Sequence, residues 1–373
     1  RWLCVAAAFS VPLPSAWLSF TTALFLLAWM ASGSFRQRWL SLRAQPVALI
    51  SLALFLWMGV STLWSTAPLC ASAKDWWLYR ELLIIPLMAS IIDCPIWSRR
   101  LLYGLLCGFT LALVASFLRW FGVLHDMGGA GKYAGFVGHT GFSILLAFAI
   151  WTCFWLWRVQ PSMKWLWLGL GLLSLLNLFF INTGRTGQLT FLCLIPLLAY
   201  QRFRIKGVMI GILAASVLAG VTYLTSTTVH ERIDVTISDI REFRAGETDT
   251  NDGVRMEFWQ NTAKLIASHP VLGGGTGSFR PEYRAIAESE KLDGRHITPN
   301  PHNEYLMIWS QTGIVGLALL LALWGVQWHR ACGLALHMRY LTQGLLVTMI
   351  VGDMFNSFIL DNLEGHFYAL MTV

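Results

Sequence analysis

Apolar runs long enough to cross a lipid bilayer follow one another along most of this chain. The hydrocarbon core of a membrane is about 30 Å thick, and a helix needs about 20 mainly apolar residues to span it. Only 13% of the 373 residues are charged, against about 25% in soluble domains. We therefore predict an all-α, polytopic membrane protein.

Twelve runs qualify as transmembrane helices, the first and the last being the shortest. They lie near 1–11, 15–32, 46–64, 77–93, 99–122, 134–158, 164–182, 187–203, 206–226, 304–328, 338–360 and 362–373. Residues 1–226 would then hold nine helices, residues 227–303 a large loop with two or more short helices, and residues 304–373 the last three.

Lysine and arginine are distributed unevenly between the loops on the two sides of this bundle. Cytoplasmic loops carry an excess of these residues, and the excess sets the orientation. One set of short loops holds four: Lys74, Arg119, Lys132 and Arg185. The alternate set holds twelve: Arg36, Arg38, Arg43, Arg99, Arg100, Arg158, Lys164, Arg202, Arg204, Lys206, Arg330 and Arg339. We therefore place the second set and both termini in the cytoplasm, and the large loop outside.

The seven cysteines and the net charge of +7 indicate neither a cofactor nor a nucleic-acid partner. The cysteines form no Cys-x-x-Cys pair, and none lies in the polar stretch 227–301. The acidic stretch Glu247–Asp252 lacks EF-hand spacing, and Gly273–Gly277 lacks the Lys-Ser/Thr of a nucleotide-binding loop. The topology explains the positive charge, so we predict no nucleic-acid partner. Because these motifs fail, we also predict no metal and no cofactor.

The large outer loop contains two stretches with helical periodicity. The first has a cap at Asn251 or Asp252, a stop at Pro270, and apolar residues at helical spacing between them, namely Met256, Trp259, Ala263 and Ile266. The second, RPEYRAIAESEKL, has Pro281 in its first turn. Such helices could roof a cavity beside the membrane or merely cover the bundle, and the periodicity fits both.

Residues that could carry chemistry gather at the outer ends of the predicted spans. Arg80 lies about one turn inside its span beside Glu81, where a charge is costly and usually functional, although a structural ion pair explains it equally. His139 lies at the outer end of another span. Arg185 lies between glycines in the shortest outer connection, where a guanidinium could fork onto phosphate or contact lipid headgroups. Arg255 starts the first loop helix and could face a ligand or pair with a neighbouring carboxylate.

His302 stands where the large loop meets the next predicted span. Pro299 and Pro301 end the loop, Asn303 can cap the helix, and Glu304 suits its first turn. The positive end of the helix dipole disfavours imidazolium, so we expect a neutral ring, the form that a general base requires. A helix cap without a chemical role is the alternative.

Three motifs in this outer region resemble the O-antigen ligase and polymerase family of bacterial envelope enzymes. They are NTGRTG, then RMEFW with HPVLGGGTGSF, then PHNEYL with TGIVG, and together they cover about 182–316. The segment GFVGHTG (135–141) is similar to a further family segment. The resemblance implies a GT-C-like membrane glycosyltransferase in the bacterial inner membrane, with its active site facing the periplasm. It also implies an inverting transfer that needs no metal, and the absence of a DxD motif agrees with the second of these points.

The resemblance further implies substrates and residue roles. The donor would be an undecaprenyl-diphosphate-linked glycan and the acceptor the lipid A–core oligosaccharide, both reached through membrane lipid. His302 matches the family's catalytic histidine, and Arg185 and Arg255 match its arginines, whereas Arg80 and His139 match less closely. Our first hypothesis is therefore an O-antigen ligase that completes lipopolysaccharide, with His302 as base and the other four residues binding diphosphate or glycan.

Two related reactions and one different class remain open. An O-antigen polymerase or a protein O-oligosaccharyltransferase would share the same motifs. A flippase or transporter of polyprenyl-linked glycans tends to show internal repeats and charges near the midplane. Here the candidate residues gather at one face instead, and Asp353 is the best candidate for a charge near the midplane.

Overall fold

The computed structural model describes residues 1–92, 94–127, 131–290, 292 and 296–372, and every regular element in these ranges is a helix. The prediction of an all-α chain is therefore confirmed. The α-helices, in chain order, are α1 (Trp2–Ser10), α2 (Ser15–Ala31), α3 (Phe35–Leu42), α4 (Pro46–Ser61), α5 (Leu69–Trp77), α6 (Glu81–Ala89), α7 (Pro95–Trp120), α8 (His139–Val159), α9 (Lys164–Leu176), α10 (Arg185–Phe203), α11 (Ile205–Thr225), α12 (Thr227–Arg244), α13 (Asn251–Ser268), α14 (Phe279–Ser289), α15 (Glu304–Cys332), α16 (Leu336–Asp353) and α17 (Asn362–Met371).

Six helical segments of the described chain are long and apolar enough to cross a membrane. They are Pro46–Trp64, Pro95–Trp120, His139–Val159, Pro161–Ile181, Ile205–Thr225 and Glu304–Cys332. The pair α2 and α3 forms a seventh candidate, with a bend of 111° between the two helices. The chain is therefore a polytopic membrane protein. The count of twelve spans stays a prediction, because the other predicted spans correspond to helices that are shorter or less apolar.

The helix within the predicted span 77–93 is much shorter than the span itself. α5 ends at Trp77, and α6 begins only at Glu81 and has nine residues. Nine residues rise about 14 Å, half the thickness of the hydrocarbon core. Arg80 lies at the break and forms an ion pair with the buried Glu81, with Nη2 3.0 Å from Oε1. Apolar composition continues through this region, so it does not reveal the turn.

The described part of the outer loop contains three helices, namely α12 and the two that correspond to the stretches with helical periodicity, α13 and α14. Thr250, rather than Asn251 or Asp252, caps α13 by accepting the N–H of Gly253. α13 ends at Ser268, two residues before Pro270, as predicted.

The buried face of α13 differs from the predicted one. Phe258 and Leu265 pack with Phe279 and Tyr283 of α14 in a small hydrophobic cluster, whereas Ala263 is exposed. The cluster joins α13 and α14 into one layer and includes Met307 of α15. Trp259 packs against its edge, whereas Met256 lies outside it.

A break in α15 attaches this layer to the membrane helices. Gly313 interrupts the helix with φ 67° and ψ −168°, a conformation open essentially to glycine alone. The glycine-rich turn between α13 and α14 enters the break, where the N–H of Gly274 donates to the Ser310 carbonyl (2.9 Å) and that of Ile314 donates to the Pro270 carbonyl (3.0 Å). The glycine-rich stretch is therefore a structural turn, and it fixes the height of the loop layer above the bundle.

Candidate functional site

A cavity of about 390 Å³ lies where the membrane helices meet the loop helices. Its walls come from the first turns of α8 and α10, from α12 and α13, and from the segment after α16. The ionisable side chains in its lining are His139, Arg185, Arg232, Asp252 and Arg255. The other lining residues are Thr140, Thr183, Thr186, Leu189, Thr236, Ile240, Met256, Trp259, Phe355 and Asn356.

Close packing of α10 against α8 holds Arg185 at this cavity. Arg185 is the first residue of α10, and a Cβ on Gly184 or Gly187 would come within 2.6 Å of the Ser143 Cβ. Gly187 also donates its N–H to the Ser143 hydroxyl (3.1 Å). The two glycines of NTGRTG therefore let the start of α10 lie directly on the first turns of α8, which begins with His139.

The Arg185 guanidinium forms a bidentate ion pair with Asp252 at the start of α13. Nη1 donates to Oδ2 (2.5 Å), Nη2 donates to Oδ1 (2.8 Å), and Nη1 also donates to the Thr236 hydroxyl. This parallel fork is the geometry with which arginine binds either carboxylate or phosphate. Burial raises the pKa of Asp252, but the hydrogen bonds and charge of Arg185 outweigh that effect and hold the pKa below its ordinary value. Asp252 is therefore ionised at neutral pH and occupies the arginine fork.

Two further guanidinium groups, Arg232 on α12 and Arg255 on α13, line the cavity without an ion-paired or hydrogen-bonded acceptor in the described part of the chain. Burial lowers the pKa of Arg255, and the Asp252 carboxylate opposes this effect, yet a guanidinium stays protonated in proteins. Three guanidinium groups against one carboxylate leave a net positive cavity. Sequence reasoning missed Arg232, because the charge-rich segment that becomes α12 gives no local sign of which side chain faces inward.

His302 lies in the last turn before α15, in a left-handed backbone conformation with φ 54°. Its N–H donates to Asn300 Oδ1 (2.8 Å), and the Trp259 indole N–H donates to the carbonyl of Pro301 (3.0 Å). Asn303 caps α15 with its side-chain oxygen, as predicted. Strained backbone persists only where the surroundings fix it, and here contacts on both sides of His302 determine the position of the ring.

Asn356 connects His302 to the cavity. It lines the cavity, and its Oδ1 lies 3.3 Å from Nδ1 of His302. Because an amide oxygen only accepts, the proton of the neutral ring belongs on Nδ1, and Nε2 keeps its lone pair. Asp353 shapes the turn that carries Asn356: this fully buried carboxylate accepts the N–H of Phe358 (3.1 Å).

The His302 ring is neutral at neutral pH. Burial lowers the pKa of His302, the charge of Arg255 lowers it further, and the hydrogen bond to Asn356 opposes both. The expected protonation state is therefore supported, but the causes are burial and a neighbouring guanidinium. Phe258 also packs against the ring, with centroids 6.3 Å apart and planes 30° from parallel.

His139 and Arg80, which match the family's residues less closely, lie in different places. His139 lines the cavity together with Arg185 and Arg232. Arg80 does not line it, because its guanidinium pairs with Glu81 and donates to the Trp77 carbonyl (3.2 Å). For Arg80 the geometry favours the structural ion pair that the sequence left open.

The described residues contain no group of three or more His, Cys, Asp or Glu side chains that could hold a metal ion. The cavity has one carboxylate, and Arg185 already binds it. Its lining instead offers arginine and hydroxyl groups, which bind anionic oxygen. The metal requirement itself stays a prediction.

Fold and cavity together define a polytopic membrane protein with a cationic site beneath its outer-loop helices. Residues 170–321 match the family model described as O-antigen ligase, and this match supports an O-antigen ligase family assignment for the chain. Members of that family are glycosyltransferase-like ligases and polymerases. The matched range includes Arg185, Arg232, Arg255 and His302.

A curated protein of Haemophilus influenzae (strain ATCC 51907 / DSM 11121 / KW20 / Rd) is 24% identical to this chain over 131 residues. The alignment covers 34% of this chain and 33% of that protein, so the match spans about a third of the relative's length. The relative is described only as an uncharacterized protein. This match shows sequence similarity over the aligned range and gives no information on activity.

Proposed function

We propose that this protein is an O-antigen ligase, which transfers O-antigen from undecaprenyl diphosphate to the lipid A–core oligosaccharide at the periplasmic face of the inner membrane. The observation that carries the proposal is the convergence of three guanidinium groups on one cavity, with a neutral imidazole one hydrogen bond away through Asn356. These residues lie in the range that matches the O-antigen ligase family.

The donor diphosphate would bind to the arginines of the cavity. Arg232 and Arg255 have no competing acceptor in the described chain, whereas Asp252 occupies the Arg185 fork in a bidentate geometry. A phosphate group that reaches Arg185 must share or displace this carboxylate. Fixed guanidinium groups would then stabilise the charge that grows on the leaving diphosphate as its bond to the sugar breaks.

His302 would supply the base. The Nε2 lone pair takes the proton from an acceptor hydroxyl, the hydroxyl oxygen forms a bond to the anomeric carbon, and the bond from that carbon to the diphosphate oxygen breaks with its electron pair. A single displacement of this kind inverts the anomeric centre. Asn356 keeps the Nδ1 proton in place, so the basic nitrogen is the one that faces away from Asn356.

The cavity also offers surfaces for the sugar. Trp259 and Phe355 line it side by side, with ring centroids 6.3 Å apart, and Met256 adds a further apolar contact. Aromatic rings of this kind suit the apolar faces of pyranose sugars, whereas the arginines on α10, α12 and α13 suit the diphosphate. We therefore place the scissile bond between these two groups of residues.

The test supplies purified protein with lipid-linked glycan, candidate acceptors and a chelator, and measures which acceptor gains mass. We expect His302→Ala to lower transfer by about 10²–10⁴ and Arg185→Lys by about 10²–10³, because an ammonium does not reproduce a bidentate fork. Exposed residues outside the cavity provide matched controls: His269→Ala and Arg284→Lys should retain full activity.

Each alternative function predicts a different product. A polymerase would extend a second lipid-linked glycan, and a protein O-oligosaccharyltransferase would modify a polypeptide. A flippase would move the donor across vesicles without forming any new glycosidic bond. Normal transfer by the His302→Ala protein would remove the proposed mechanism, and loss of transfer with chelator would contradict metal independence.

A further inference from the structure

A second basic region lies away from the cavity, on the side of the Lys/Arg-rich loops. Residues 1–74 contain no Asp or Glu, and the short helix α3 within them carries Arg36 and Arg38, with Arg43 immediately after it. None of these three arginines has a carboxylate within 4.0 Å in the described part of the chain. α3 is bent by 111° from α2, so it runs across the end of a membrane helix rather than along it.

The outward face of α3 mixes aromatic and aliphatic groups with charge. Phe35, Trp39 and Leu40 are 52%, 45% and 57% exposed. Arg36 and Arg43 share this face at helical spacing, and the Arg43 guanidinium lies 5.5 Å from the centre of the Trp39 ring. Exposed aromatic residues beside arginines are typical of helices that lie in the membrane–water interface.

The opposite face of α3 borders a second cavity, of about 470 Å³. Arg38, Gln37 and Ser41 line it from α3, and Ser32 and Ser34 line it from the bend. The Arg38 guanidinium donates to the Trp29 carbonyl (3.0 Å) and to the Ser32 hydroxyl, and it lies 4.9 Å from the centre of the Trp29 ring. These partners are all neutral, and the described part of the chain places no carboxylate within 4.0 Å of this guanidinium.

The rest of the lining of this second cavity is mainly apolar. Leu3, Phe25, Ala28, Trp29 and Ile91 supply the apolar surface, and Arg1 and Ser90 add polar groups. On the outer side of α2, Leu27 is 59% exposed and Met30 is 54% exposed. A ligand here would meet a guanidinium, an amide and hydroxyls at one end, and apolar surface continuous with a membrane helix at the other.

We propose that this second cavity binds the headgroup of an anionic glycerophospholipid. The phosphodiester would accept hydrogen bonds from Arg38, the glycerol hydroxyls would contact Gln37 and the cavity serines, and the acyl chains would lie along α2. Charge complementarity selects an anionic headgroup, and the apolar walls select a lipid over a soluble phosphate. The site is separate from the transferase cavity and does not depend on the proposed reaction.

Native mass spectrometry of the full-length protein tests this proposal by counting bound phosphatidylglycerol and phosphatidylcholine along a titration of each lipid. We expect the wild type to retain phosphatidylglycerol more tightly. Arg38→Gln should weaken phosphatidylglycerol binding about tenfold or more, since a charge-assisted hydrogen bond is lost, and should leave phosphatidylcholine binding unchanged. Arg330→Gln is the matched control, because it removes an exposed arginine from the same side at the end of α15.

Gln37→Glu keeps the test decisive if Arg38→Gln fails to fold. The exposed Gln37 side chain has no hydrogen-bond partner in the described chain, so the nearly isosteric change disrupts no contact and places a negative charge in the cavity. It should also weaken phosphatidylglycerol binding. Unchanged binding in Gln37→Glu, an equal loss in Arg330→Gln, or displacement of the lipid by equimolar glycerol phosphate would each overturn the proposal.

Discussion

The contact between Asn356 and His302 yields the sharpest prediction about the proposed base. Asn356 Oδ1 lies 3.3 Å from Nδ1 of His302, and this hydrogen bond raises the pKa of His302 against the larger lowering effects of burial and Arg255. Asn356→Asp keeps the size of the side chain and replaces a neutral acceptor with a carboxylate. The imidazolium form would then gain an opposite charge at hydrogen-bond distance.

The sign and the size of the effect follow from this geometry. An opposite charge within about 4–6 Å moves a pKa by about 1–3, and for histidine the movement is upward. A general base works only when it is deprotonated, so activity falls as pH drops through its pKa. In the wild type that fall should lie below pH 6.5, because burial and Arg255 lower the pKa of His302. In Asn356→Asp it should lie about 1–3 pH units above its wild-type position.

The assay is the pH dependence of kcat/KM for glycan transfer, since its acidic limb reports the free enzyme. Asn303→Asp is the control: it introduces the same charge one residue from His302 and keeps the helix cap, although it loses the hydrogen bond from Asn303 to the Met354 carbonyl (3.0 Å). Its acidic limb should stay close to that of the wild type. A limb that does not move in Asn356→Asp, or that moves equally in both variants, would refute His302 as the titrating base.

Two further variants test the layer above the membrane. Gly313→Ala should cost about 2–5 kcal/mol of stability, because alanine is strained at φ 67° and its Cβ would collide with the Val271 carbonyl. Thermal unfolding of the purified protein measures this cost, and Gly325→Ala, which faces open space in the same helix, serves as control. Arg232→Gln should lower transfer by about 10²–10³ in a folded protein if this arginine holds the diphosphate. Full activity would instead show that Arg232 does not bind the diphosphate.

The sequence by itself determined the helical class of this protein and the ends of some of its helices. Apolar runs specified an all-α membrane protein, because a helix satisfies its own backbone hydrogen bonds in lipid. The Asn303 cap and the end of α13 before Pro270 were predicted because capping and chain stops act within a few residues. The roles predicted for Arg185, Arg255 and His302 came instead from the resemblance of their motifs to the O-antigen ligase and polymerase family.

Tertiary structure decided which of these groups meet and which others join them. Arg185 pairs with Asp252, 67 residues away, and His302 contacts Asn356, 54 residues away. Arg232 joins the cavity, whereas Arg80 pairs with Glu81 outside its lining. Contacts across such distances arise only when helices pack, and the apolar spacing in α13 did not identify the face that this packing buries. The sequence therefore shows which arginines and which histidine are candidates. The tertiary structure decides which residues they contact, and it sets the protonation of the His302 ring through burial and neighbouring charge.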